Sequence, residues 1–119
     1  WAKKIAEAGV KYYFEVANMP TTNDALEFLK EQKHMVVAPS KAVNACGVAV
    51  SELEMAQNAE RLYWTAEEVD AKMHAIMKNI YHNSVEAAER YGLGYDLVAG
   101  ANIVGFQKVA DAMMAQGIF

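Results

Sequence analysis

Two apolar segments separated by a helical one, all near the start of the chain, constrain the fold more than any other feature. Residues 10–17 are aromatic and β-branched with little alternation, which is typical of an interior strand that is buried on both faces. Residues 18–20 interrupt this strand, and Thr21 or Thr22 can cap the helix that follows. Residues 34–38 then form a second strand. A strand, helix and strand at this spacing form a right-handed crossover, so the pattern predicts two parallel strands.

The second half of the chain has helical periodicity throughout. A first helix is predicted from about Asn44 to Trp64, and a second begins at the capping-box pattern of residues 65–68 and continues to Gly92. A third is predicted from near Ala101 to residue 116. Two parallel strands do not make a stable open sheet alone. The chain also opens with what reads as the tail of a helix. We therefore expect an α/β fold: the C-terminal part of a Rossmann-like nucleotide-binding domain, followed by three long helices.

Composition excludes several classes of function. The 119 residues are 54% hydrophobic and 22% charged, which is typical of a globular chain. The net charge of −4, with 11 basic residues among 15 acidic ones, argues against nucleic acid as a partner. There is no apolar run long enough to span a membrane, and the single cysteine cannot form an internal disulfide. A cytoplasmic protein without a membrane partner is the resulting expectation.

Polar side chains follow both predicted strands. Asn18 comes after the first strand, and Asn44 stands after the second, where a helix begins. Because the carboxyl ends of parallel strands meet at one edge of a sheet, these amides are expected to face a common crevice with Ser51 of the helix. No metal site is expected, since the three histidines lack the spacing of a metal-binding pair. Cys46 is interpreted as a small packed side chain, because no histidine nearby could act as its base.

Four motifs in the same order closely resemble the C-terminal part of hexameric glutamate dehydrogenases, and most of all their NAD-linked bacterial branch. Together they cover nearly the whole chain. The motifs are Glu15-Val16-Ala17-Asn18-Met19-Pro20-Thr21-Thr22, Ala38-Pro39-Ser40-Lys41-Ala42-Val43-Asn44-Ala45, Leu53-Glu54-Met55-Ala56-Gln57-Asn58, and Gly100-Ala101-Asn102-Ile103-Val104-Gly105-Phe106.

The resemblance implies oxidative deamination of L-glutamate to 2-oxoglutarate and ammonia, with hydride transfer to NAD. It implies that Ser51 binds the side-chain carboxylate of the substrate and that Gly47 and Val48 line the substrate pocket. Asn44 matches the asparagine that reaches the nicotinamide end of the cofactor, and Asn18 matches one beside the nicotinamide ribose.

The resemblance also has consequences for the chain as a whole. The family's catalytic lysine and aspartate belong to an upstream domain, so the isolated chain is expected to hold no catalytic residue and to be inactive. Residues 1–43 would end the nucleotide-binding domain, and residues 44–119 would form a helical segment that returns toward the substrate domain. The expected partners are the rest of the polypeptide and further copies in a homo-hexamer.

Two departures from the family pattern lie near the expected substrate pocket. Cys46 stands where the family has a second glycine, and Glu52 stands where it usually has glycine. Two alternatives remain open at this point: a related amino-acid dehydrogenase, and a non-catalytic helical interaction module whose apolar faces bind a partner.

Overall fold

The structure, a computed structural model, describes residues 1–117, so Ile118 and Phe119 at the end of the predicted segment 44–119 lie outside the described residues. The elements in chain order are α1 (Ala2–Glu7), β1 (Tyr12–Phe14), α2 (Asn23–Lys30), β2 (Val36–Ala38), α3 (Ser40–Val43), α4 (Ala45–Glu60), α5 (Ala66–Arg90) and α6 (Leu97–Gln116).

The predicted crossover of strand, helix and strand is confirmed. β1 and β2 pair in parallel, with Tyr12 opposite Val36 and Phe14 opposite Ala38. Each strand has three residues, fewer than predicted. The amide of Glu15 still donates to the carbonyl of Ala38 at 3.1 Å, but the chain turns away at Pro39 and offers no further partner.

The two faces of this sheet differ in how well they are covered. On one face Leu29, Met35 and Val37 form the buried core, and side chains of α1 and α2 pack against it. On the other face Tyr12 and Phe14 are 63% and 59% exposed. The prediction that β1 is buried on both faces is therefore wrong within residues 1–117. Instead, the second face borders an apolar groove of about 210 Å³ that α5 also lines.

The long helix predicted from Asn44 begins at Ala45 as α4, and an unpredicted short helix, α3, comes directly before it. α3 ends at Val43, and Asn44, whose backbone (φ −84°, ψ −5°) remains close to helical values, separates it from α4. α4 ends at Glu60, before the predicted Trp64, because Arg61 adopts a left-handed conformation with φ 57°.

The start of α5 was predicted correctly. The Thr65 hydroxyl accepts a hydrogen bond from the Glu68 amide at 3.2 Å, and the Glu68 carboxylate accepts one from the Thr65 amide at 2.7 Å. This reciprocal pair satisfies two amides that have no acceptor within the helix.

α6 begins four residues before the predicted Ala101. The Asp96 carboxylate accepts a hydrogen bond from the Ala99 amide at 2.9 Å and so caps the helix at an earlier position. α6 packs closely against α5 at Gly100, where an added Cβ would lie 1.9 Å from the carbonyl oxygen of Ser84. None of the helices described here has the length and hydropathy needed to cross a membrane.

Candidate functional site

The carboxyl ends of both strands lead into the segments that carry the predicted cofactor residues. Asn18 lies in the exposed turn after β1, where Met19 adopts a left-handed conformation with φ 47°. The Tyr13 and Thr21 hydroxyls form a hydrogen bond of 2.8 Å, which ties the far end of this turn back to β1. The turn therefore presents Asn18 to solvent at the same edge of the sheet where β2 ends.

Asn44 joins α3 to α4 and is partly exposed. Its amide donates to the Ser40 carbonyl at 2.9 Å, and its carbonyl accepts from the Gly47 amide at 3.1 Å. Its side-chain amide, like that of Asn18, makes no hydrogen bond to any atom of residues 1–117. Both side chains are therefore free to bind a ligand.

One face of α4 carries all of the predicted substrate residues. Counted from Asn44, Gly47, Val48 and Ser51 lie three, four and seven positions along the helix, so the four residues share one face that is about 10 Å long. Gly47, Val48 and Ser51 are exposed, and a Cβ added to Gly47 would meet nothing within 4 Å. We refer to these four residues as the α4 polar face.

The other side of α4 packs onto α5. Val50 and Leu53 are partly buried and border a cavity that they share with Trp64 and Val69. This contact turns the α4 polar face toward solvent, at the end of the sheet where the two strands end.

A family model described as Glutamate/Leucine/Phenylalanine/Valine dehydrogenase matches residues 1–117. The chain belongs to this dehydrogenase family. The NAD-specific glutamate dehydrogenase of Clostridium symbiosum is 74% identical over 98% of the chain, and the NADP-specific glutamate dehydrogenase of Escherichia coli is 55% identical over the same share. A solved structure of a glutamate dehydrogenase superposes on 98% of the chain with a TM-score of 0.94 and 74% identity. The predicted family and α/β fold class are thus confirmed.

The chain spans about a quarter of the length of these relatives: 26% of each curated sequence and 26% of the solved chain. The dehydrogenase segment described here therefore corresponds to one part of such an enzyme.

Of the two departures from the family pattern in this dehydrogenase segment, Glu52 lies beside the α4 polar face and Cys46 lies on the opposite side of the helix. Cys46 is partly buried and Glu52 is exposed. Glu52 follows Ser51 directly, so its side chain leaves the helix about 100° away from the Ser51 hydroxyl. The Ser51 hydroxyl itself donates to the Gly47 carbonyl at 3.3 Å. This contact is long for a hydroxyl donor, so a ligand oxygen can compete for it.

The face offers amides, a hydroxyl and open backbone rather than an acid or a base. Such groups bind and orient a ligand through neutral hydrogen bonds. The titratable groups with altered pKa lie elsewhere. Hydrogen bonding to Tyr81, together with burial, raises the pKa of Tyr95 to about 12. Burial acts to lower the pKa of Lys30, but hydrogen bonding and attraction to Asp96 outweigh it and raise the pKa.

The sequence motifs included two residues whose structural importance was not predicted. Glu15 is only 5% exposed, and its carboxylate accepts a hydrogen bond from the Ser40 amide at 3.1 Å. The ammonium group of Lys41 donates to the side-chain oxygen of Asn102 in α6. The contact of Glu15 had a sequence signal, because a charged residue stands at the end of an apolar strand. The second joins residues 61 positions apart and has no local signal.

Proposed function

We propose that this chain is the C-terminal segment of an NAD-dependent glutamate dehydrogenase. The full-length enzyme would convert L-glutamate to 2-oxoglutarate and ammonia. The observation that carries this proposal is the exposed α4 polar face at the end of the sheet, in a chain 74% identical to an NAD-specific glutamate dehydrogenase. The identity to that relative exceeds the 55% identity to an NADP-specific one, which favours NAD.

Each residue of the site has a proposed binding role. The Ser51 hydroxyl donates to the side-chain carboxylate of glutamate, and the open surface at Gly47 and Val48 forms a wall of the substrate pocket. Asn44 binds the nicotinamide end of NAD, and Asn18 binds beside its ribose. The two side-chain amides have no hydrogen-bond partner within residues 1–117, and they fit such a ligand because nicotinamide and ribose present both hydrogen-bond donors and acceptors. When bound, NAD supplies the hydride acceptor.

The remaining elements of the proposal concern the whole enzyme. Residues 1–43 would complete the nucleotide-binding domain, and residues 44–119 would return toward a substrate domain that carries the catalytic lysine and aspartate. We propose a cytoplasmic homo-hexamer, in which the chain acts with the rest of its polypeptide. The 119 residues alone should not reduce NAD.

A hybrid enzyme tests this proposal directly. The chain replaces the matching segment of the Clostridium symbiosum enzyme, and glutamate-dependent formation of NADH is measured beside the unmodified relative. We expect an assembled, active hybrid that prefers glutamate to leucine and phenylalanine, and no turnover by the isolated chain. A hybrid that does not assemble would contradict the proposal, and so would one that assembles without activity. Preference for leucine or phenylalanine would instead favour the related amino-acid dehydrogenases.

Ser51→Ala in the hybrid tests the substrate role. Loss of a hydrogen bond to a charged carboxylate should raise KM for glutamate about 10- to 100-fold, with KM for NAD unchanged. Ser84→Ala is a matched control, because the Ser84 hydroxyl donates to the Ile80 carbonyl at 2.8 Å within α5, outside the α4 polar face. Equal effects of both variants on KM for glutamate would contradict the role of Ser51.

A further inference from the structure

A buried carboxylate connects the two segments that carry Asn18 and Asn44. Glu15 follows β1 directly, and its backbone amide continues the strand pairing through the Ala38 carbonyl at 3.1 Å. Its carboxylate accepts from the amide of Ser40, the first residue of α3, at 3.1 Å. Along the chain, Glu15 lies three residues before Asn18, and Ser40 lies four before Asn44. The Glu15 side chain therefore adds a second link, beyond the strand pairing, between the two strand exits.

The Ser40 amide has no acceptor within its own helix, because the first amides of a helix lack intrahelical partners. Ser40 is 9% exposed and Glu15 is 5% exposed, so water has little access to either group. A charged acceptor makes a stronger hydrogen bond than a neutral one, and an unsatisfied buried amide is costly. Weakening this contact should therefore shift the start of α3.

A second contact holds α3 from another element. The Lys41 ammonium donates to Asn102 of α6 at the solvent-exposed surface, so the adjacent residues Ser40 and Lys41 contact different parts of the fold. A helix of four residues has little stability of its own, so its position depends on these contacts together with Ala42 and Val43, which are partly buried and line the apolar groove beside α5. We refer to the pair of Glu15 with the Ser40 amide and the pair of Asn102 with Lys41 as the α3 contacts.

We propose that Glu15 and Asn102 are positioning residues for the dinucleotide. Through the α3 contacts they fix α3, and so set where the Asn44 amide meets the nicotinamide end of the cofactor, without touching the cofactor themselves. This inference rests on the proposed function. Ser51 does not depend on the α3 contacts, because α4 is held in place by the packing of Val50 and Leu53 against α5.

Kinetics of the hybrid enzyme test this division of roles. Glu15→Gln keeps an acceptor oxygen but removes the charge, and Asn102→Ala removes the acceptor for Lys41. Each should raise KM for NAD and the Kd for NADH about tenfold, with KM for glutamate changed by less than about twofold. Asn102→Asp keeps the acceptor oxygen and should restore both cofactor constants.

Cys46 provides a measurement that needs no activity. It lies two residues after Asn44 and is partly buried, so its rate of alkylation reports opening of the turn between α3 and α4. A pulse of N-ethylmaleimide, followed by mass spectrometry of the peptide that carries Cys46, measures this rate whatever other thiols are present. Glu15→Gln and Asn102→Ala should accelerate labelling severalfold, and Asn102→Asp should not.

Leu29→Ala is the matched control, since it weakens the buried core without removing an α3 contact. Unchanged labelling of Cys46 in both test variants would overturn the inference, whatever the enzyme does with glutamate. If Leu29→Ala changed the labelling rate and KM for NAD as much as the two test variants do, the inference would also be overturned. Such a result would show that any loss of stability produces these changes. Absence of glutamate-dependent NAD reduction in the unsubstituted hybrid would contradict the proposed function instead, while NADH titration and Cys46 labelling still decide the role of the α3 contacts.

Discussion

At the residue scale, position 100 requires glycine for a reason that its sequence context does not reveal. It lies within α6 without a positive φ, so backbone conformation does not require glycine there. The requirement comes from the Ser84 carbonyl of α5, which occupies the space that a side chain would need. The glycine thus allows close contact between the two longest helices.

Gly100→Ala should destabilise the chain by several kcal/mol, because the new Cβ would meet backbone that cannot move independently of α5. Gly105→Ala is the matched control in the same helix. Its Cβ meets nothing within 4 Å, so alanine should stabilise the helix by up to about 1 kcal/mol. Urea unfolding at one fixed protein concentration measures both. A stable Gly100→Ala variant would contradict the close contact seen here.

Residue identities near the site were predictable where they followed local patterns. The positions of Asn18 after β1 and of Asn44 before α4 were predicted because strand ends and helix starts have recognisable sequences. A charged residue at the end of an apolar strand marks Glu15 as unusual, but its partner was not predictable because it is a backbone amide 25 residues away. Only the folded structure shows that the Glu15 carboxylate is buried against the Ser40 amide.

At the element scale, Asp96 performs two tasks at the start of α6. One oxygen caps the helix through the Ala99 amide, and the other pairs with Lys30 of α2 at 3.2 Å. The helix was predicted to begin at Ala101, after the loop of residues 91–95, but it begins at Leu97 because Asp96 caps it there. The ion pair between Asp96 and Lys30 joins two elements, so a local sequence pattern does not predict it.

Substitutions at Asp96 separate these tasks. Asp96→Asn keeps an oxygen for the Ala99 amide but loses the charge, and should cost less than about 1 kcal/mol of unfolding free energy. Asp96→Ala loses the cap as well and should cost about 1 kcal/mol more. Asp111→Ala, at an exposed position of the same helix, is the control. Urea unfolding that shows equal losses for the two Asp96 variants would contradict the capping role.

Tyr81 of α5 and Tyr95 of the following loop join two elements through hydroxyls 2.7 Å apart. The pKa of Tyr95 is raised from 10.0 to about 12, so folding favours its neutral form. The stability that this gives is complete below pH 10 and is lost as the pH rises through 12. Tyr95→Phe should remove this part of the pH dependence of Tm, whereas Tyr63→Phe, at a side chain 95% exposed, should retain it. An unchanged alkaline profile in Tyr95→Phe would contradict the assignment.

At the scale of the whole molecule, the sequence predicted the order and type of the elements, apart from the short helix α3, but not how completely they would cover one another. Capping, periodicity and strand composition are local, and they identified the crossover and three long helices. Burial on both faces of β1 depends on distant chain segments, and residues 1–117 supply cover for only one face. Tyr12 and Phe14 consequently remain exposed beside an apolar groove.

This surface predicts self-association of the isolated chain. Within residues 1–117 β1 pairs only with β2, so its other edge presents unpaired backbone groups beside the exposed Tyr12 and Phe14. Exposed strand edges with apolar side chains pair readily with other chains, and a lysine on the edge suppresses such pairing. Phe14→Lys should therefore reduce the apparent mass in light scattering after size-exclusion chromatography. Tyr63→Lys should leave the mass unchanged, because Tyr63 is exposed but lies in the segment between α4 and α5, away from the sheet. A monomeric unsubstituted chain would contradict association, and equal effects of the two lysines would show that it does not depend on this sheet.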